Sequence, residues 1–110
     1  MIEPLTASDE TTLDPVAMRE HATDAARLMK ALGNENRLMI LCVLAEGEHS
    51  VGELNERIPL SQSALSQQLA RLRSAGLVTT RRESQTIFYT IAPGPVDKVI
   101  HLLHDMYCGT

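Results

Sequence analysis

One stretch limits what this chain can become: Ser61-Gln62-Ser63-Ala64-Leu65-Ser66-Gln67-Gln68-Leu69-Ala70-Arg71-Leu72-Arg73-Ser74-Ala75-Gly76. It reads as one helix with both ends marked. The Ser61 hydroxyl can accept from an orphan backbone N–H of the first turn. Gly76 suits the left-handed position just past the end. Leu65, Leu69 and Leu72 fall at helical spacing and form one apolar stripe. The opposite side carries Gln62, Ser63, Ser66, Gln67, Ala70, Arg71 and Ser74, with Arg73 near its edge. Solvated helix faces usually carry Glu and Lys, and this helix has neither. Short donors and acceptors can reach base edges in a major groove, and Arg can reach phosphate.

The neighbours of this helix give it a context. Asp14-Pro15 marks a helix start, running to about Leu32 with Met18, Ala22, Ala25, Ala26, Leu28, Met29 and Leu32 apolar. Those residues suit either the chain's own core or a dimer seam. Gly33-Asn34 breaks the chain. A second helix, from Asn34 to about Ala45, is apolar almost all round after Leu38 and should be the central buried one. Glu46 to His49 reads as a turn. Ser50-Val51-Gly52-Glu53 fits a capping box and opens a short helix to about Arg57, with Val51, Leu54 and Ile58 inward. Ile58-Pro59-Leu60 then turns into the polar helix, which makes a helix-turn-helix.

Beyond Gly76, two β-branched runs, Leu77 to Arg82 and Gln85 to Ile91, predict a hairpin joined by Glu83-Ser84. Ala92-Pro93-Gly94-Pro95 stops it. Val96 to about Cys108 is a last helix, with Val96, Ile100, Leu103 and Tyr107 on one stripe and Val99, Leu102 and Met106 beside it. A small domain has no need of that much apolar surface on a terminal helix, so a dimer partner is the expected cover. The expected architecture is mainly α with a β-hairpin wing, a winged helix-turn-helix pairing as a homodimer through its first and last helices. Residues 1–13 are expected to form a flexible acidic tail, and 14–110 a single domain.

Charge placement matters more than its sum. The formal charge is −4, which by itself argues against a DNA partner. Yet Ser61 to Arg82 holds Arg71, Arg73, Arg81 and Arg82 with no acid, whereas Met1 to Asp24 holds six acids against Arg19. The basic block coincides with the polar helix and the strand after it. Aromatic content of 3% disfavours a stacking platform for single strands. No apolar run approaches a membrane span and no signal peptide is visible, so a cytoplasmic location is expected. Two cysteines in a reducing compartment do not suggest a resting structural disulfide.

The runs Leu32 to Leu41, Leu60 to Leu69 and Ala75 to Val78, taken together, resemble the ArsR/SmtB family of small dimeric bacterial repressors. The resemblance covers nearly everything from Asp14 onward. It implies double-stranded operator DNA as the partner, with Gln62, Ser63, Ser66 and Gln67 facing bases. Arg71 and Arg73 of the helix, and Arg81, Arg82 and Gln85 of the wing, would meet phosphates or the minor groove. Many relatives sense metals. One of their sites uses a Cys-Val-Cys run, replaced here by Ser50-Val51-Gly52. Another uses carboxylate and His ligands on the last helix, where this chain has Asp97, His101, His104 and Cys108. At ~1.5 Å rise per residue these four cannot all reach one ion, although a neighbouring pair could supply two ligands. His21 and His49 have no evident partners and are expected at the surface.

Taken alone, Cys42 reads as a small buried hydrophobe and Cys108 as an incidental exposed thiol. The resemblance changes their meaning. Leu41-Cys42 and Tyr107-Cys108 are similar to both thiol positions of the branch that responds to sulfide and persulfides. There the two sulfurs become bridged, by a disulfide or a polysulfide chain, and operator affinity falls. For this chain the resemblance implies reactive sulfur species or oxidants as inducer, Cys42 and Cys108 as regulatory thiols, and neither cofactor nor resident metal. An accessible Cys108 would attack and a shielded Cys42 would resolve. Besides a metal-responsive repressor, two rivals remain: a constitutive DNA-binding protein with inert thiols, and a thiol peroxidase or sulfurtransferase, for which no substrate-pocket signal is present. The reading is of a regulator and not an enzyme.

Overall fold

The computed structural model describes residues 13–109; the expected acidic tail lies, but for Leu13, outside the described residues. Five helices and a small sheet follow one another as α1 (Pro15–Leu32), α2 (Glu35–Glu46), β1 (His49–Ser50), α3 (Val51–Arg57), α4 (Gln62–Ser74), β2 (Val78–Glu83), β3 (Thr86–Ile91) and α5 (Pro95–His104). A π-helical turn, Asp105–Gly109, prolongs α5. The sheet is antiparallel with order β1-β3-β2.

Local chemistry explains most boundaries. The Asp14 carboxylate accepts from the backbone of Val16 and Ala17 and starts α1. Asn34 does the same for α2 through Arg37 N–H. At α3 the capping box is complete, since Ser50 Oγ accepts from Glu53 N–H and Glu53 accepts from Ser50 N–H. The turn into α4 is held by Asn55, whose amide donates to Leu60 carbonyl at 2.6 Å. Ser61 caps α4 through Ala64 N–H at 3.0 Å. The other end closes as a Schellman motif: Leu77 N–H reaches Leu72 carbonyl and Gly76 N–H reaches Arg73 carbonyl, with Gly76 at φ 77°.

The core is one cluster. Ile40, Leu41, Val43 and Leu44 of α2 meet Leu54, Ile58, the α4 stripe Leu65, Leu69 and Leu72, and Val78, Val96 and Ile100. The leucine stripe therefore clamps α4 to the body and turns its polar side outward. α2 is less enclosed than its composition suggests, because Met39 remains 46% exposed.

Three boundaries differ from expectation. His49, expected in the turn, instead opens a short strand with Ser50, pairing with Tyr89 and Phe88 of β3. A two-residue strand carries no periodicity to read. The hairpin loop is Ser84-Gln85, because Glu83 still pairs with Thr86. Ser84 stands at φ 60°, the positive value a two-residue hairpin turn demands at its first loop position. The last helix does not stay α-helical to Cys108. Its π-helical turn rotates Tyr107 off the stripe begun by Val96 and Ile100, leaving Tyr107 81% exposed.

Candidate DNA interface and thiol pair

The outward side of α4 presents Gln62, Ser63, Ser66, Gln67, Arg71 and Arg73, all exposed. The adjacent Gln68 is different. It is half-buried, and its Oε1 accepts from Arg37 Nη1 at 3.4 Å. Of the glutamine pair, Gln67 is thus the one turned to solvent. Arg37, which the sequence did not single out, also donates through Nε to Ala31 carbonyl at 2.9 Å and through Nη2 to Lys30 carbonyl at 3.3 Å. It ties the end of α1 to α4.

The wing exposes Arg81, Arg82 and Gln85. Arg81 is already engaged. Its Nε and Nη2 donate to the two carboxylate oxygens of Glu48 at 2.6 and 2.8 Å, and its guanidinium lies 4.7 Å from the centre of the Phe88 ring. The pairing raises the Arg81 pKa and lowers that of Glu48. A second forked pair sits two residues away, where Arg57 donates to both oxygens of Glu46 at 2.6 and 3.0 Å. That hydrogen bond is the main reason the Glu46 carboxyl titrates below its usual range. The turn after α2 is therefore tied to α3 through Glu46 and to the wing through Glu48. Among the described residues, Arg82, Arg71 and Arg73 have no acid within ion-pair distance.

A helix-turn-helix with an exposed, acid-free polar face and a basic wing is a duplex-DNA reader in form. The comparisons with known proteins decide the family. The model for the bacterial regulatory proteins of the arsR family matches residues 34–80. The transcriptional activator HlyU of Vibrio cholerae is 55% identical over 91 residues, covering 83% of this chain and 84% of HlyU. The chain belongs to the ArsR family.

Other ArsR relatives agree. The biofilm growth-associated repressor of Agrobacterium fabrum is 47% identical, covering 84% of this chain and 80% of its own length. The solved structure of BigR, a transcriptional repressor from Xylella fastidiosa, superposes with a TM-score of 0.81 at 39% identity, covering 89% of this chain and all of that one (100%). Reduced HlyU from Vibrio cholerae gives 0.79 at 54% identity, covering 84% of this chain and 97% of its own. As a member of this ArsR group, the chain is a DNA-binding transcriptional regulator. Among the described residues no helix is long and apolar enough to cross a membrane.

Cys42 lies within α2 and Cys108 in the π-helical turn that prolongs α5. Both are free; Cys42 is half-buried and Cys108 exposed. Cys42 lines a cleft of about 290 Å³ with Ala45, Glu46, Ile100, His101 and His104. Burial raises the Cys42 pKa, and the negative charges of Cys108 and Glu46 raise it further. Of the four residues weighed as metal ligands, Asp97 and His101 pair, with His101 Nδ1 3.2 Å from Asp97 Oδ1 and 2.8 Å from the Asp97 carbonyl, while His104 Nδ1 stands 3.9 Å from Asp105. Among the described residues no three His, Cys, Asp or Glu side chains gather where one ion would sit. His21 is exposed, but His49 is half-buried in β1, its Nδ1 donating to Gly47 carbonyl at 2.8 Å.

Proposed function

We propose that this regulator is a homodimeric, cytoplasmic repressor whose grip on operator DNA weakens when Cys42 and Cys108 become bridged. One observation carries the reading: half-buried Cys42 on α2 opens into a cleft bounded by His101 and His104 of α5, and exposed Cys108 follows His104 by four residues. Residues 14–110 act as the DNA-binding domain. Gln62, Ser63, Ser66 and Gln67 face bases, and Arg71, Arg73, Arg82 and Gln85 meet the backbone. Arg81 belongs to this set once released from Glu48. Exposed Met18 and Met29 on α1, and Leu102 and Met106 at the other end of the chain, favour a second copy as cover.

The chemistry balances with an alkyl persulfide as oxidant. Cys108 thiolate attacks the outer sulfur, forming a protein persulfide and expelling an alkyl thiolate. Cys42 then attacks the inner sulfur of that persulfide, forming the protein disulfide and expelling hydrosulfide. Two protein thiols are oxidised, and the persulfide is reduced to a thiol and sulfide. If Cys42 first takes up a sulfur of its own, the same displacement leaves a trisulfide. A bridge would pull α5 against α2. Because Glu46 ends α2 and Glu48 stands two residues beyond it, that strain passes through two forked ion pairs to α3 and to the wing. Repressor dimers need their recognition helices about one DNA turn apart, ~34 Å, so a small change in the protomer is felt at the operator.

Operator binding before and after treatment with a persulfide donor tests this. The treated wild type should bind more weakly and lose two hydrogens by mass, gaining one sulfur for each atom inserted. Cys42→Ser and Cys108→Ser should each keep full affinity and form no intramolecular bridge. Unchanged affinity in bridged wild type would instead mark a constitutive DNA binder with inert thiols.

A further inference from the structure

A basic cleft opens where the end of α1 meets α4. It encloses about 200 Å³ and is lined by Arg27, Lys30, Arg37 and Arg71 over a floor that includes Ala31 and Leu72. Four cations thus share one small cleft in a chain of net charge −4. Like charges held together repel unless an anion sits among them. The neighbouring acid does little. Asp24 meets Arg27 at 3.4 Å with the two side chains 80% and 72% exposed, a geometry in which water screens most of the attraction. Lys30 and Arg71 have no acid partner among the described residues.

Arg37 is held entirely by neutral oxygens, the carbonyls of Ala31 and Lys30 and the side chain of Gln68. These contacts lock its guanidinium across the last turn of α1 without cancelling its charge. The cleft therefore has one fixed cation, Arg37, and three more exposed ones, Arg27, Lys30 and Arg71. It is also continuous with the DNA-reading surface. Arg71 lies one turn beyond Gln67 on α4, and Gln68, which Arg37 grips, is Gln67's neighbour.

We propose that this cleft seats a phosphate of the DNA backbone just outside the base pairs read by α4, making the C-terminal turn of α1 a sequence-independent DNA contact beyond those of α4 and the wing. The inference rests on the DNA-binding function already assigned. A phosphodiester matches the site: it brings negative charge and acceptor oxygens for Arg and Lys, and an adjoining sugar to cover the apolar floor. An acidic protein cannot hold DNA by bulk attraction, so its positive charge must be concentrated where phosphates pass.

The test is binding across a salt series, to operator and to unrelated duplex, with the Arg27→Gln/Lys30→Gln double variant. Arg37 is left alone because it holds two helices together. The double variant should lose affinity for both duplexes by the same factor, and its slope of log K against log salt should flatten by about 1–2. A methylphosphonate at one flanking phosphate should weaken the wild type and leave the double variant nearly unaffected. An unchanged slope in a variant that still binds operator overturns the proposal, while leaving the DNA-binding function intact. Wild type that bound no duplex would overturn that function itself. Weaker binding that tracked a change in sedimentation, with no methylphosphonate response, would assign these residues to subunit contact and also overturn it. Inorganic phosphate shifting Lys30 and Arg71 resonances, with DNA affinity unaltered in the variant, would make the cleft a site for a free anion instead.

Discussion

The guanidinium of Arg81 is forked onto the carboxylate of Glu48, 33 residues earlier in the chain, at 2.6 and 2.8 Å. One of the two wing arginines named from the sequence is therefore matched by an acid that the sequence does not mark. Glu48 and a DNA phosphate compete for the same donors, so Glu48 sets how much positive charge the wing offers.

Glu48→Gln should release Arg81. Affinity for any duplex should rise, and the salt slope should steepen by about 0.9, one additional phosphate contact. Arg81→Gln should change little in the wild type and reverse that gain in the Glu48→Gln background. Anisotropy titrations of the four proteins complete the cycle. Equal losses from Arg81→Gln in both backgrounds would mean that Glu48 does not mask it.

Gln67 and Arg82 should separate sequence reading from backbone holding. Gln67→Ala should cost about 1–3 kcal/mol against the preferred operator while leaving unrelated duplex untouched. Arg82→Gln should weaken both duplexes alike and reduce the salt slope by about 1. Competition binding against base-substituted operators distinguishes the two patterns.

The two thiols should alkylate at different rates. Burial, then the nearby charges of Cys108 and Glu46, hold the Cys42 thiol above its ordinary pKa. Iodoacetamide at neutral pH should label Cys108 first, and labelling of Cys42 should accelerate only at more alkaline pH. The linkage has a definite sign. A thiol whose pKa is raised by folding contributes stability below the unfolded-state value, ~8.5, and that contribution is lost as pH climbs through the folded value. Mass spectrometry of timed digests reads the labelling; faster labelling of Cys42 would contradict the shielding.

Leu69 is fully enclosed beneath α4. Leu69→Ala should lower unfolding stability by about 2–5 kcal/mol through lost burial and a residual cavity. Urea denaturation measures it. Operator binding should fall along with stability, because the same stripe fixes the pose of the polar face.

Ser84 takes a positive φ that L side chains adopt at a cost. Ser84→Gly should raise the unfolding midpoint, by an amount corresponding to about 0.5–1 kcal/mol, because relief at the turn outweighs the added freedom of glycine in the unfolded chain. A drop in midpoint would place the greater effect on the unfolded side.

What could be read from the sequence was local. Ser50 and Glu53 lie three residues apart and form their capping box from adjacent atoms; Leu65, Leu69 and Leu72 announce a buried face by spacing alone. The recognition helix followed from such signals, including its Gly76 stop. What escaped was made by contacts between distant segments. Arg37 and Gln68 are 31 residues apart, and nothing in either neighbourhood names the other. The pairing of His49 with Tyr89 depends on a finished sheet, not on any preference of two residues. Tyr107 appeared to continue an apolar stripe because helical spacing assumes a constant turn, and the π-helical turn breaks that assumption. The thiol pair was named through family resemblance; spacing alone left Cys42 and Cys108 as unrelated residues.

The sheet order leaves β2 with one flank unpaired. An open strand edge is a template on which another chain can add itself, and aggregation begins there. This edge ends in Arg81, Arg82 and Glu83, charges that make lateral stacking of one wing on the next unfavourable. Stripping them to improve or abolish DNA contact would also remove a guard against self-association, so solubility and operator grip draw on the same few side chains.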